Sequence, residues 1–275
     1  THRVRAPSLT PLICSAIRLI ETIAIRYADL ILPITEKMRG IVWRDYGRYS
    51  KKTVVVPQAV DTTMFRPHES ERAEIRRKLC IEGKMVVLLF STFSARWRST
   101  WQLFKIAGHI LCKRSDVVFL VVGSGPLLEE IKSRMGWREM LKRILFVGRV
   151  DHHLVPLYIN ASDIYVYDAT PEAYETVGKH GPCPMKILEA MACGKPVIAP
   201  REEELETMLL SSNSGLCASS TDEIESLIER FADSPSLARS MGMNARRYVE
   251  LNHDLTCLTR RTVELIGEVV SPRRS

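Results

Sequence analysis

Pro184-Met185-Lys186-Ile187-Leu188-Glu189-Ala190-Met191-Ala192-Cys193-Gly194-Lys195-Pro196-Val197-Ile198-Ala199 reads as a helix start, a short apolar helix, a glycine stop and a buried strand. Lys186 and Glu189 stand three residues apart and so share one face of that helix. A cation beside unpaired backbone N–H groups suits a phosphate, and a carboxylate one turn on accepts hydrogen bonds from sugar hydroxyls. The combination points to a nucleotide diphosphate held at a helix N-terminus. The competing reading is a plain surface pair, with Glu189 complementing the helix dipole.

Outward from this stretch, apolar runs at 85–90, 117–122, 144–147, 163–167 and 196–199 alternate with helical patterns near 100–113, 126–135, 152–161 and 185–193. Continuous apolar strands separated by helices predict a parallel sheet covered on both faces, a doubly wound α/β domain. Residues 221–233, 235–250 and 254–270 read as further helices, and 271–275 as a frayed tail. Upstream, 11–27 carries an apolar helical stripe (Leu12, Ile13, Ala16, Ile17, Ile20, Ile23, Ala24, Tyr27). That stripe fits a helix packed on a sheet or, with arginines beside it, a helix lying in a membrane interface. Ala28 to Thr35 reads as a short strand ending in a capping threonine, followed by a helix to Tyr46 and a strand over Thr53–Val56.

The polar, proline-containing stretch between Asp61 and Ala73 marks the expected boundary. Residues 1–66 then form the end of a first domain, too poor in strands to be complete. Residues 67–252 form a complete second domain, and 253–275 a C-terminal helix, expected to return to the first domain, with its tail. Thr1 opens the sequence without a methionine or a signal-peptide pattern, and the chain is read as N-terminally truncated.

Ligands of an open parallel sheet bind where strand ends lead into helix N-termini. Four loops qualify. Ser91 to Arg98 contains Arg96 and Arg98, a residue type suited to diphosphate. Gly123-Ser124-Gly125-Pro126 allows close backbone approach, but the third glycine of a dinucleotide fingerprint is missing, which disfavours NAD. Gly148-Arg149-Val150 offers backbone groups to a base, and Asp168 to Pro184 feeds the helix of Met185, Lys186, Ile187 and Glu189.

Composition agrees with a folded protein: 275 residues, 45% hydrophobic and 26% charged. No run of eighteen apolar residues predicts a spanning helix. The seven cysteines are scattered without a C-x-x-C pair, so reduced thiols in a cytoplasm fit better than disulfides or zinc. His152-His153 reads as a loop or helix start in preference to a metal site. The net charge is +7, and residues 1–66 carry eleven Lys/Arg against five Asp/Glu. This basic part suits an anionic partner such as a membrane surface; no motif supports nucleic acid.

The order of motifs resembles the family-4 (group 1) glycosyltransferases of the GT-B superfold. Ala28-Asp29 with Leu30–Ile34 and Thr35-Glu36 is similar to that family's A-D-x-V-I-x-x-S-E segment. Val55 to Pro67 resembles its V-x-P-N-G-V-D-x-x-x-F-x-P linker. Val122 to Pro126, Phe146-Val147-Gly148 and Leu157-Tyr158 through Ala161-Ser162-Asp163 follow in the family's order, and Pro184–Ala199 looks like its P-x-K-x-x-E-x-M-A-x-G-K-P-V-I-A form. The resemblance implies a GT-B fold: one complete Rossmann-like doubly wound domain plus the C-terminal remnant of a second. It also implies transfer of a sugar from a nucleotide-diphosphate donor to a glycan or lipid-linked acceptor, with retention and without an obligatory metal or other cofactor. By it, Glu189 bonds the ribose hydroxyls, Lys186 with nearby amides neutralises the diphosphate, and Gly148 and Val150 border the base. Catalytic residues of the acceptor side are expected upstream of this chain. The implied place is the cytoplasm, peripheral to the membrane.

Three departures stand out. Gly181 occupies the position, eight before Glu189, where the common family form has a second glutamate. Ser91 to Arg98 replaces the usual G-R…K phosphate loop, and Gln58-Ala59 replaces the linker Asn-Gly. Two alternatives follow: a module that binds a nucleotide sugar without catalysis, and a GT-B-fold nucleotide-sugar epimerase.

Overall fold

The computed structural model describes residues 10–47, 53–93, 100–134, 140–167 and 185–270. By contacts the chain divides into Gln58–Cys257 and a smaller unit of Thr1–Pro57 with Leu258–Ser275.

The larger unit is built on six parallel strands: β1 (Met85–Phe90), β2 (Val117–Val122), β3 (Ile144–Gly148), β4 (Ile164–Val166), β5 (Val197–Pro200) and β6 (Gly215–Ala218). Their order in the sheet is β3-β2-β1-β4-β5-β6. The chain reverses its direction of travel between β1 and β4, the switch point beside which open α/β sheets bind ligands. Alternation along β1 serves two cores. Val86 and Leu88 face a cluster with Ile159, Ile187, Leu188, Met191 and Leu209, whereas Val87 and Leu89 face Phe104, Ile110, Ile131, Ile228 and Phe231. Both faces are therefore covered, as the unbroken apolar strands predict.

In chain order the helices of this unit are α3 (Glu69–Lys78), α4 (Thr100–Lys113), α5 (Pro126–Arg134), α6 (Val155–Ala161), α7 (Met185–Ala192), α8 (Glu203–Ser211), α9 (Thr221–Asp233) and α10 (Pro235–Asn252). Strands 85–90 and 117–122 fall where the sequence puts them. The expected helix 152–161 is a 3-10 turn over His152–Leu154 that continues into α6, with Pro156 in its first turn. β6 and α8 carry no clear signal in the sequence: Gly-Leu-Cys-Ala is poor in β-formers.

The stretch taken as a polar link is part of the larger unit. Val60 and Phe65 are each 2% exposed, and the Val60 N–H donates to the His253 carbonyl at 2.8 Å. His68 caps α3, whose Arg72 and Arg76 pair with Asp163 at 2.5 and 3.2 Å. Burial alone would raise the Asp163 pKa, but the two guanidiniums hold it below the usual range.

In the smaller unit, α1 (Thr10–Tyr27) and α2 (Glu36–Tyr46) form as expected, and Thr35 caps α2 by accepting the Met38 N–H at 3.1 Å. The two predicted strands shrink to a single parallel bridge, Ile31 with Thr53, flanked by Val54 N–H to the Ile31 carbonyl and Val56 N–H to the Pro33 carbonyl. Pro33 has no N–H with which to extend a ladder. Ile17, Ile20 and Ile23 of α1 are about half exposed or more, so the described residues supply no sheet for that stripe. α11 (Leu255–Val270) is the last helix, and the boundary between the units falls within it.

Candidate functional site

Three loops meet at the carboxyl edge of β1, β2 and β3, and glycine is what lets them meet. Gly123 has φ +125°, and a Cβ there would sit 1.8 Å from the Ser91 carbonyl oxygen. At Gly125 (φ +159°) a Cβ would fall 2.3 Å from the Thr92 oxygen. These two glycines therefore serve the packing of one loop on the next. The Gly123 N–H donates to the Gly148 carbonyl at 2.8 Å, tying the second loop to the third. Gly148 differs. Its φ is +85° and nothing lies within 4 Å of where its Cβ would be, so its backbone faces open space after β3. Val150 is half-buried beside it.

α7 supplies the polar groups. Glycine 194, at φ +69°, ends the helix, and the Lys195 N–H bonds back to the Ala190 carbonyl. Ile187 is fully buried in the core, so its side chain is unavailable to a ligand and only its backbone N–H remains a candidate. Met185 is half-buried and packs on the same cluster. The Lys186 ammonium lies 5.7 Å from the centre of the Phe90 ring, at the end of β1. Glu189 is 7% exposed, and its Oε1 lies 3.2 Å from Nε2 of His152. Burial raises the Glu189 pKa; the hydrogen bond and charge of His152, and then Lys186, offset only part of that. A plain surface pair would leave Glu189 in solvent, so the surface reading fails.

The sequence reads His152 as a loop or helix start in preference to a metal ligand and assigns it no place in the site. Its one available signal is position: it follows Gly148 within the third loop at the strand ends. Arg96, Arg98, Gly181 and the whole Asp168–Pro184 loop lie outside the described residues. No group of three His, Cys, Asp or Glu able to hold a metal occurs among the described residues. A cavity of about 750 Å³ opens at the opposite, amino edge of the sheet. Its Arg72, Arg76, Asp163 and Lys195 bond to one another or to carbonyls at the end of α6.

An open parallel sheet with a cation, a buried carboxylate and a helix N-terminus at its carboxyl edge defines a doubly wound α/β domain whose ligand edge suits an anion. More narrowly, the chain belongs to the family described as "Glycosyl transferases group 1", whose model matches residues 71–248. It is 23% identical over 228 residues to alpha-D-kanosaminyltransferase of Streptomyces kanamyceticus, covering 82% of this chain and 56% of that protein. To the GDP-mannose-dependent alpha-(1-6)-phosphatidylinositol monomannoside mannosyltransferase of Mycolicibacterium smegmatis it is 24% identical, over 77% of this chain and 55% of that protein. The chain thus spans about half the length of the curated relatives it matches. Among solved structures, Anabaena Alr3699/HepE in complex with UDP superposes with a TM-score of 0.76 at 19% identity, over 92% of this chain and 68% of that one. The C-terminal domain of the Francisella tularensis group 1 protein LpcC superposes at 0.59 with 20% identity, over 72% of this chain and 100% of that one. The fold is of the GT-B type.

Proposed function

We propose that this chain carries the donor half of a glycosyltransferase that takes a sugar from a nucleoside diphosphate and passes it, with retention, to a glycan or lipid-linked acceptor. The observation that carries the reading is a buried Glu189 one turn from Lys186 in α7, near the N-terminus of that helix. Glu189 accepts hydrogen bonds from the ribose hydroxyls. Lys186, with the first-turn amides of α7, neutralises the diphosphate as it becomes the leaving group, so no metal is required for that charge. Gly148 and Val150 border the base, and Gly123 and Gly125 keep their loops in register. Support for a nucleoside diphosphate ligand comes from the UDP in the Anabaena structure and the GDP-mannose in the mycobacterial relative's name. A cytoplasmic place at the membrane surface follows from the same reading, with α1 as the contact.

A buried carboxylate whose ionisation is opposed by burial destabilises the fold in the service of binding. Glu189→Gln is expected to weaken UDP or GDP binding by about 1–3 kcal/mol in calorimetry while leaving the melting temperature equal or higher. Undiminished affinity in a folded variant would remove Glu189 from the site and the reading with it.

A further inference from the structure

We propose that His152 is a positioning residue for Glu189: its Nε2 engages one carboxylate oxygen, at 3.2 Å, and keeps the group ionised and oriented for a sugar hydroxyl. This inference rests on the nucleotide-sugar reading of the site.

The contact joins two elements. His152 opens the 3-10 turn that follows β3, whereas Glu189 sits in α7. The side chain of His152 is 67% exposed and that of Glu189 only 9%. Its ring meets Phe65 at 5.4 Å in a tilted contact. A ring so exposed contributes little to the core, so its specific interaction is the bond to Glu189. Among the described residues it is the hydrogen-bond partner of that carboxylate, and a metal-ligand role finds no third group.

The groups facing Glu189 explain why a second partner matters. His152 faces it from the 3-10 turn, and Lys186 acts from its own helix. Cys193 lies one turn further along, where Lys195 and Arg246 act on the thiol and do not figure at Glu189. In the proposed complex Lys186 is drawn to the diphosphate. His152 then remains to hold Glu189 in the form that accepts hydrogen bonds, because burial favours the protonated acid.

The test is UDP affinity, with GDP as a second probe, measured calorimetrically from pH 5 to 8 on four proteins: wild type, His152→Leu, Glu189→Gln and the double variant. Affinity of the wild type is expected to fall on the acid side as Glu189 takes up a proton. His152→Leu should move that fall to higher pH and lower the affinity at pH 7 about threefold to tenfold. His152→Gln, which keeps an N–H donor, should recover part of it. In the Glu189→Gln background His152→Leu should change nothing, since the two residues act as one unit. Equal losses in both backgrounds, or a loss without any shift in the pH profile, would overturn the positioning role. Absence of UDP and GDP binding by the wild type at every pH would overturn the nucleotide reading and this inference together.

Discussion

Lys195, three residues beyond the end of α7, is 8% exposed and donates from Nζ to the Asn160 carbonyl at 3.0 Å. Burial, then the charge of Arg72, lower its pKa to about 8, with Asp163 as a partial offset. An unfolded lysine titrates near ~10.4. Between about pH 8 and ~10.4 the unfolded chain therefore binds more protons than the folded one, and stability rises with pH through that window. At pH 7 the side chain is charged in both states and the buried ammonium opposes folding. Lys195→Met is expected to abolish the rise above pH 8 and to stabilise the protein at pH 7 by about 1–3 kcal/mol. The Asn160 carbonyl stays satisfied, since Nη1 of Arg72 donates to it at 2.8 Å. Urea titrations at pH 7 and pH 9.5 decide: a variant that keeps the rise, or loses stability at neutral pH, would show the ammonium to be well paired. The sequence displays Lys195 beside Gly194 and Pro196 but not its burial, which depends on helices α3 and α6 far away in the chain. His152 was hidden for the same reason. Its partner is 37 residues off, and neither local periodicity nor charge pairing reports a contact across two loops.

At the scale of elements, legibility followed burial symmetry. β1 and β2 are six apolar residues each and lie between two covered faces, so their run length alone identified them. β4 keeps only three paired residues but lies within the expected run at 163–167, whereas the four residues of β6 are too few to stand out from neighbouring helices. α1 poses the converse case: its stripe was plain, its partner was not. Ile17, Leu19, Ile20, Ile23 and Tyr27 are 49% to 72% exposed, and Arg18 and Arg26 flank them. No helix among the described residues is long and apolar enough to cross a membrane, and such a surface fits an interfacial contact with anionic lipid. The chain is expected to co-sediment with vesicles containing phosphatidylglycerol, less so as salt rises, and Ile20→Glu with Ile23→Glu should abolish it without lowering the melting temperature. Failure to sediment at low salt would dismiss the membrane contact and leave α1 as a face for protein.

At the scale of the whole molecule, the expected boundary near residue 66 follows composition, whereas contacts divide the chain after Pro57 and after Cys257. The larger unit is clasped at its ends. The Val60 N–H donates to the His253 carbonyl at 2.8 Å, the Leu255 N–H returns to the Val60 carbonyl at 3.0 Å, and Thr62 bonds Asp254. Arg246 of α10 adds bonds to the carbonyls of Thr62, Phe65 and Ala192, fastening the entering chain to the end of α7. Phe65 fills the core beneath, against the ring of His152. A fragment of residues 58–257 keeps the clasp, both cores and the site, and is expected to melt in one cooperative transition and bind the same nucleotide as the whole chain. A fragment cut at 67–252, where the sequence drew the boundary, loses Val60, Phe65 and the paired strap. The loss of one buried aromatic side chain costs about 3–5 kcal/mol, so the shorter fragment should be less stable by at least that order in denaturant titration. Loss of Phe65 also removes the ring against His152, so its nucleotide affinity should fall even under conditions where it remains folded. Equal stability of the two fragments would mean that the clasp is dispensable and that the unit begins at α3.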